Sequence, residues 1–103
     1  MSEHIFAAFF IGFNEVMGGL WTIEEEGGKR RAKLLALGSR EYYKKEADLP
    51  EAAQKSLESA FKTLGEEKRK IEGIIFSLPV SWAKGALEED KASLLRQICQ
   101  KLE

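Results

Sequence analysis

Residues 20–39 read LWTIEEEGGKRRAKLLALGS, the segment with the clearest local signal of the sheet. Two strand-like segments flank a glycine pair, which predicts two antiparallel strands over about residues 20–25 and 30–39. Gly27 and Gly28 can both adopt positive φ, as a two-residue hairpin turn requires. Glutamates on the first arm would face lysine and arginine on the second, so charge pairs across the hairpin should stabilise it.

A strand is also predicted before the hairpin, because residues 5–13 form the apolar run IFAAFFIGF. No basic residue precedes this run, as a signal peptide would require, and Asn14 and Glu15 end it. It is far shorter than the about 20 residues of a membrane-spanning helix. We therefore interpret it as a buried strand, apolar on both faces, and expect a cytoplasmic protein without a transmembrane segment.

A connection and a helix are predicted next. Residues 40–47 are rich in charge and indicate an exposed connection. Apolar residues then recur at steps of three and four from Leu49 to Leu64, which is typical of an amphipathic helix. Asp48 is a candidate helix cap, and Gly65 is placed to end the helix.

A second strand-and-helix unit completes the chain. Residues 71–78 form a nearly continuous apolar run that Pro79 closes, which indicates a central parallel strand covered by helices on both faces. Ile75 and Phe76 should then both be buried. After a loop, an amphipathic pattern over residues 87–102 predicts the last helix.

The element order is therefore strand, strand, strand, helix, strand, helix. This order predicts one domain over residues 1–103, an α/β fold with a mixed sheet. A right-handed crossover would place the strands in the spatial order third, second, first, fourth.

Composition excludes several functional classes. The 16 Lys and Arg residues nearly balance the 17 Asp and Glu residues, so no general nucleic-acid binding is expected. The basic cluster at residues 29–33, with Trp21 as a stacking partner, could contact an anionic surface, but the adjacent glutamates favour a solvated strand end. Cys99 is the single cysteine and His4 the single histidine, so neither a disulfide framework nor a metal site is expected.

With this order of elements, two motifs resemble the actin-like ATPase superfamily, which has a ribonuclease-H-like fold. Residues 10–16 (FIGFNEV) are similar to its phosphate-binding turn, and residues 74–82 (IIFSLPVSW) to its strand that ends in proline before a helix. Bacterial FtsA- and PilM-type actin homologues, which act in cell division and pilus assembly, are the most similar in their N-terminal part. The resemblance implies a partial subdomain of this fold and candidate cofactor-binding positions at Gly12, Phe13 and Asn14.

One departure from the family bears on catalysis. Phe10 stands where the family has an aspartate that serves the divalent cation, and a phenyl ring cannot hold a hard cation. Backbone amides around Gly12 could still form a small anion nest. We expect no catalytic residue, no metal and no cofactor, and we expect that this chain alone does not hydrolyse ATP. The alternative is a fragment of a nucleotide-binding ATPase, with ATP and magnesium, whose second half is absent from this chain.

The expected function is a scaffold or assembly module that acts through protein–protein contacts. A sheet of four strands leaves edges that another chain can extend, so a protein partner or self-association is expected at the fourth strand. The candidate partner-binding residues are Ile74, Phe76, Val80 and Trp82. Trp82 is either a plug over the core or an anchor for the partner. An unrelated small α/β protein remains a third alternative.

Overall fold

A computed structural model describes residues 4–65, 71–82 and 86–102, with Val80 described in its backbone only. Its elements are β1 (Ile5–Ile11), β2 (Glu15–Glu26), β3 (Lys29–Tyr42), α1 (Leu49–Leu64), β4 (Ile71–Ser77) and α2 (Glu89–Lys101). The predicted order of elements is confirmed. The predicted charged connection at residues 66–70 and the end of the loop at residues 83–85 lie outside the described residues.

The four strands form one mixed sheet in the order β3-β2-β1-β4. β2 pairs antiparallel with both β1 and β3, whereas β4 pairs parallel with β1. The predicted strand order and the predicted parallel pairing are therefore confirmed. The prediction that the fourth strand is central is wrong, because β4 is the outermost strand of this sheet.

The hairpin forms around the predicted glycine pair. Gly27 and Gly28 have φ angles of 59° and 80°, which a side chain would disfavour. Glu25 pairs in register with Arg30, and its Oε1 lies 3.1 Å from the arginine Nε. Both arms are longer than predicted, because β2 begins at Glu15 and β3 continues to Tyr42.

Helix α1 begins and ends at the predicted residues, but its N-terminus lacks the predicted side-chain cap. Gly65 adopts a left-handed φ of 78°, and its amide donates to the Lys62 carbonyl at 3.0 Å. Asp48 belongs to a short 3₁₀ turn, Glu46–Asp48, and its side chain makes no capping hydrogen bond. Asp48 therefore occupies the predicted N-cap position, but the prediction that its side chain caps the helix is wrong.

Both helices pack on the same face of the sheet. Phe9 and Leu20 from the strands, Leu57 from α1 and Ile98 from α2 belong to one buried core. Because successive residues of a strand point to opposite faces, the side chains of the other face point away from both helices of the described ranges. The prediction that helices cover both faces of the fourth strand is therefore wrong: the side chain of Ile75 is 66% exposed, and Phe76 is only half-buried.

Helix α1 lies very close to β3. A β-carbon at Gly38 would lie 2.0 Å from the carbonyl oxygen of Ser56, so only glycine fits there. The Ser56 hydroxyl accepts a hydrogen bond from the Gly18 amide at 2.8 Å and donates one to the Ser39 carbonyl at 2.5 Å. These contacts fix the helix on this face and leave the opposite face open.

Candidate functional site

The strongest candidate site is the sheet face opposite the two helices, which we call the open face. By strand register it carries apolar side chains from all four strands: Phe6, Ala8, Phe10, Met17, Trp21, Ile23, Ala32, Leu34, Leu37 and Ile75. Five of these large side chains, Phe10, Ile23, Leu34, Leu37 and Ile75, are each at least 40% exposed. A contiguous exposed apolar patch of this kind is typical of an interaction surface.

A shallow groove of about 240 Å³ crosses this face. Its lining is Phe6, Ala7, Ala8, Trp21, Ile23, Ala32 and Ile75. The ring of Phe6 lies over Gly73, where a β-carbon would come within 2.9 Å of the Phe6 Cδ1 atom. Because no titratable side chain lines the groove, it is suited to apolar contact and offers no acid–base chemistry.

The indole of Trp21 lies over Gly19 in the middle of the open face. A β-carbon at position 19 would lie 3.3 Å from both the indole Nε1 and the Leu37 Cδ2 atom. The indole N–H is buried and has no acceptor among the residues described. Leaving a buried donor without an acceptor costs stability, so this indole N–H destabilises the fold locally.

Charged residues of both signs border the open face at its two ends. Glu25 and Arg30 share a register position at the hairpin tip, and their side chains are 69% and 77% exposed. Glu15 and Arg40 lie near the opposite end, with the Glu15 Oε2 atom 3.6 Å from the Arg40 Nε atom. Each end therefore carries one acid and one base side by side.

The predicted cofactor-binding residues, Gly12, Phe13 and Asn14, form the connection between β1 and β2. The Gly12 amide donates to the Glu15 carbonyl at 2.8 Å, so it is not available to an anion nest. Phe13 is 82% exposed. The hydrogen bond between Gly12 and Glu15 closes this connection as a tight turn between β1 and β2.

Tyr43 holds this turn in place, and sequence reasoning missed it within the predicted exposed connection at residues 40–47. Its hydroxyl donates to the Gly12 carbonyl at 2.6 Å, and its amide donates to the Asn14 carbonyl at 2.9 Å. The residue is buried, and burial, reinforced by the nearby Glu46 carboxylate, raises the pKa of its phenol. The neutral phenol is thus the form that the folded chain favours.

A second groove, of about 210 Å³, lies beside this turn at the carboxyl ends of β1 and β4. Its lining includes Phe10, Gly12, Glu15, Arg40 and Ser77. Open α/β sheets commonly bind ligands at such an edge. Here the one basic side chain of the lining is already engaged with Glu15.

Three of the four predicted partner-binding residues pack against the core and not on the open face. Ile74 and Phe76 project toward the helices and pack against the core, where Phe76 stacks on Phe9. The side chain of Val80 lies outside the described residues. Trp82 also packs against the core. This contact agrees with the first of its two predicted roles, that of covering the core.

Trp82 is held by a charged neighbour. The Lys91 ammonium lies 5.1 Å from the centroid of the Trp82 ring, a cation–π contact. Lys91 also donates to the Glu46 carboxylate, and this hydrogen bond raises the pKa of the ammonium. The contact ties the loop after β4 to α2 and to the 3₁₀ turn before α1.

Two further observations concern metals and membranes. In the described ranges, no group of three or more His, Cys, Asp or Glu residues is placed to hold a metal ion. Neither helix of the described part is both long and apolar enough to cross a bilayer.

In comparisons with models of known protein families and with curated proteins, the chain matched none.

Proposed function

We propose that this chain is a non-catalytic scaffold or assembly module that makes protein–protein contacts through its open face. The observation that carries the proposal is the array of exposed apolar side chains on the sheet face opposite the helices. Ile23, Leu34 and Ile75 come from three different strands yet lie on that one face. When another protein covers such a surface, apolar area is removed from water and the free energy falls.

The apolar residues are numerous enough to drive binding. Complete burial of one large aliphatic side chain contributes about 1.5–3 kcal/mol relative to full exposure. The five half-exposed side chains of the open face would together contribute several kcal/mol. Part of that gain offsets the cost of association, so contacts of micromolar strength are expected from this face alone.

We infer further that the sheet is a partial ribonuclease-H-like subdomain of the actin-like kind. Support comes from the β3-β2-β1-β4 order, from the helical crossover between β3 and β4, and from the similarity of residues 74–82 to the family's strand before a helix. On this proposal the module acts in the cytoplasm, in an assembly of the cell-division or pilus type.

A second candidate function is nucleotide binding as part of a longer actin-like ATPase. The groove at the carboxyl ends of β1 and β4 favours it, because that edge is the usual ligand position in such sheets. Phe10 in its lining and the engaged Gly12 amide weaken it. The scaffold function is therefore the better supported of the two.

Site-specific photo-crosslinking in the cells that express the chain tests the scaffold proposal. The photoreactive residue p-benzoyl-phenylalanine would replace Ile23 or Leu34 on the open face, and Glu58 on the exposed side of α1 as a control. We expect protein adducts from the two open-face positions and few from position 58. Equal adduct yields at all three positions, or none at the open face, would overturn the proposal.

A further inference from the structure

Resting on the proposed function, we propose that the protein occupying the open face is a second copy of this chain. The two copies pack face to face about a two-fold axis that runs along the strands, between β2 and β3. In this arrangement β2 of each copy lies over β3 of the other. β1 and β4 lie outside the overlap, which is confined to the long hairpin.

The charges at the ends of the open face select this axis. Each residue of β2 then faces a residue on β3 of the second copy. That residue has the same number as its register partner within its own chain. Glu25 therefore lies over Arg30 of the second copy, and the reciprocal contact forms by symmetry. At the other end Glu15 approaches Arg40 of the second copy.

An axis across the strands would have the opposite effect. It would place β2 over β2 with the direction reversed, so Glu25 would face Glu15 of the second copy. Arg30 would likewise come close to Arg40. Like charges in direct opposition disfavour association, and the charge pattern therefore distinguishes the two geometries.

Side-chain sizes agree with the axis along the strands. Ile23 is in register with Ala32, so this large side chain would face a small one on the second copy. Trp21 would lie over Leu34 of the second copy. Alternation of large and small side chains is how facing layers interdigitate.

The overlap is small, which sets the expected affinity. The 12 residues of β2 span about 40 Å, and two strands are about 10 Å wide. Each copy then contributes about 400 Å², and the total of about 800 Å² is below the size of a standard stable interface. We expect a weak dimer with a dissociation constant of about 10–100 µM.

Charge reversal in single variants tests the pairing directly. Sedimentation equilibrium should show a dimer for the parent, and a dissociation constant raised at least about tenfold for Glu25→Arg and for Arg30→Glu. An equimolar mixture of these two variants should associate again, because every contact between unlike copies then joins opposite charges. Both side chains are exposed, and circular dichroism with thermal unfolding checks that each variant is folded.

Two apolar variants locate the contact on the sheet. Ile23→Lys, inside the overlap, should abolish the dimer. Ile75→Lys is the matched control, since its side chain is more exposed but lies on β4, outside the overlap. The parent and the Ile75→Lys variant should therefore dimerise equally.

Three results would overturn the inference: a mass of 11.6 kDa for the parent at every concentration, a mixture of charge variants that stays monomeric, or equal weakening by Ile23→Lys and Ile75→Lys. Crosslinked adducts to a different protein, with a monomeric parent, would overturn the second copy but keep the scaffold function. A monomeric parent without open-face adducts would overturn both.

Discussion

The rings of Phe9 and Phe76 stack with their centroids 5.7 Å apart and their planes inclined by 20°. This pair joins β1 to β4 on the helix-covered face of the sheet. The next residue back along β4, Ile75, projects to the open face beside Ala8 and is 66% exposed. One side of this strand therefore packs into the core, and the other side is exposed.

Phe76→Ala should destabilise the fold far more than Ile75→Ala. Phe76 is half-buried against the core, so we expect a loss of about 2–3 kcal/mol, below the roughly 3–5 kcal/mol of a fully buried phenylalanine. Ile75→Ala should cost less than about 1 kcal/mol, because most of its side chain is already in water. Urea unfolding of dilute protein measures both. Equal losses would mean that both faces of β4 are covered in the monomer.

The order of the strands was predictable because local signals define it. The glycine pair at residues 27–28 sets the hairpin, and the amphipathic helix before residue 71 requires a crossover to a parallel strand. The number of covered faces was not predictable in this way. A run such as residues 71–78 is equally apolar whether the second face is covered by a helix of the same chain or by another protein.

Ser56→Ala should destabilise the fold, because the hydroxyl links α1 to two strands. Its loss leaves the Gly18 amide and the Ser39 carbonyl without their side-chain partner. We expect a cost of about 1–3 kcal/mol in unfolding free energy. Thr63→Ala is the matched control on the exposed side of the same helix, where the hydroxyl only bonds back to the Ser59 carbonyl. A control loss as large as that of Ser56→Ala would contradict this role.

Tyr43→Phe should lower stability near neutral pH by about 0.5–1.5 kcal/mol, since it removes the hydrogen bond to the Gly12 carbonyl. Burial raises the pKa of the Tyr43 phenol, so its contribution is complete below the ordinary value of about 10 and is lost as the pH rises through the folded value. The difference between parent and variant should therefore shrink above about pH 10. A difference that grows with pH would contradict the assigned sign.

The isolated chain should not bind ATP with magnesium at micromolar affinity. Phe10 lines the groove and stands where the actin-like family that the sequence resembles has its cation-serving aspartate, and the Gly12 amide already donates to the Glu15 carbonyl. Isothermal titration calorimetry with and without magnesium measures this. A magnesium-dependent micromolar dissociation constant, equivalent to about 8 kcal/mol, would favour the ATPase alternative.

The candidate site was predictable only in part. The sequence predicts a protein contact at the fourth strand, with Ile74, Phe76, Val80 and Trp82, whereas five exposed apolar side chains of the structure lie on the open face. The alternation of Phe6, Ala8 and Phe10 along β1 was the available signal for an apolar second face. It was interpreted as burial, because a single sequence does not distinguish a side chain covered by its own chain from one that a partner covers.

Hydroxyl-radical footprinting of side chains over a range of protein concentrations tests whether a second copy of the chain covers the open face. Ile23 and Leu34 lie inside the expected overlap, whereas Phe13 lies outside it and is 82% exposed. Between about 1 µM and about 1 mM, which spans the expected dissociation constant, labelling of Ile23 and Leu34 should fall while labelling of Phe13 stays constant. Labelling of Ile23 and Leu34 that stays constant over the whole range would contradict the account.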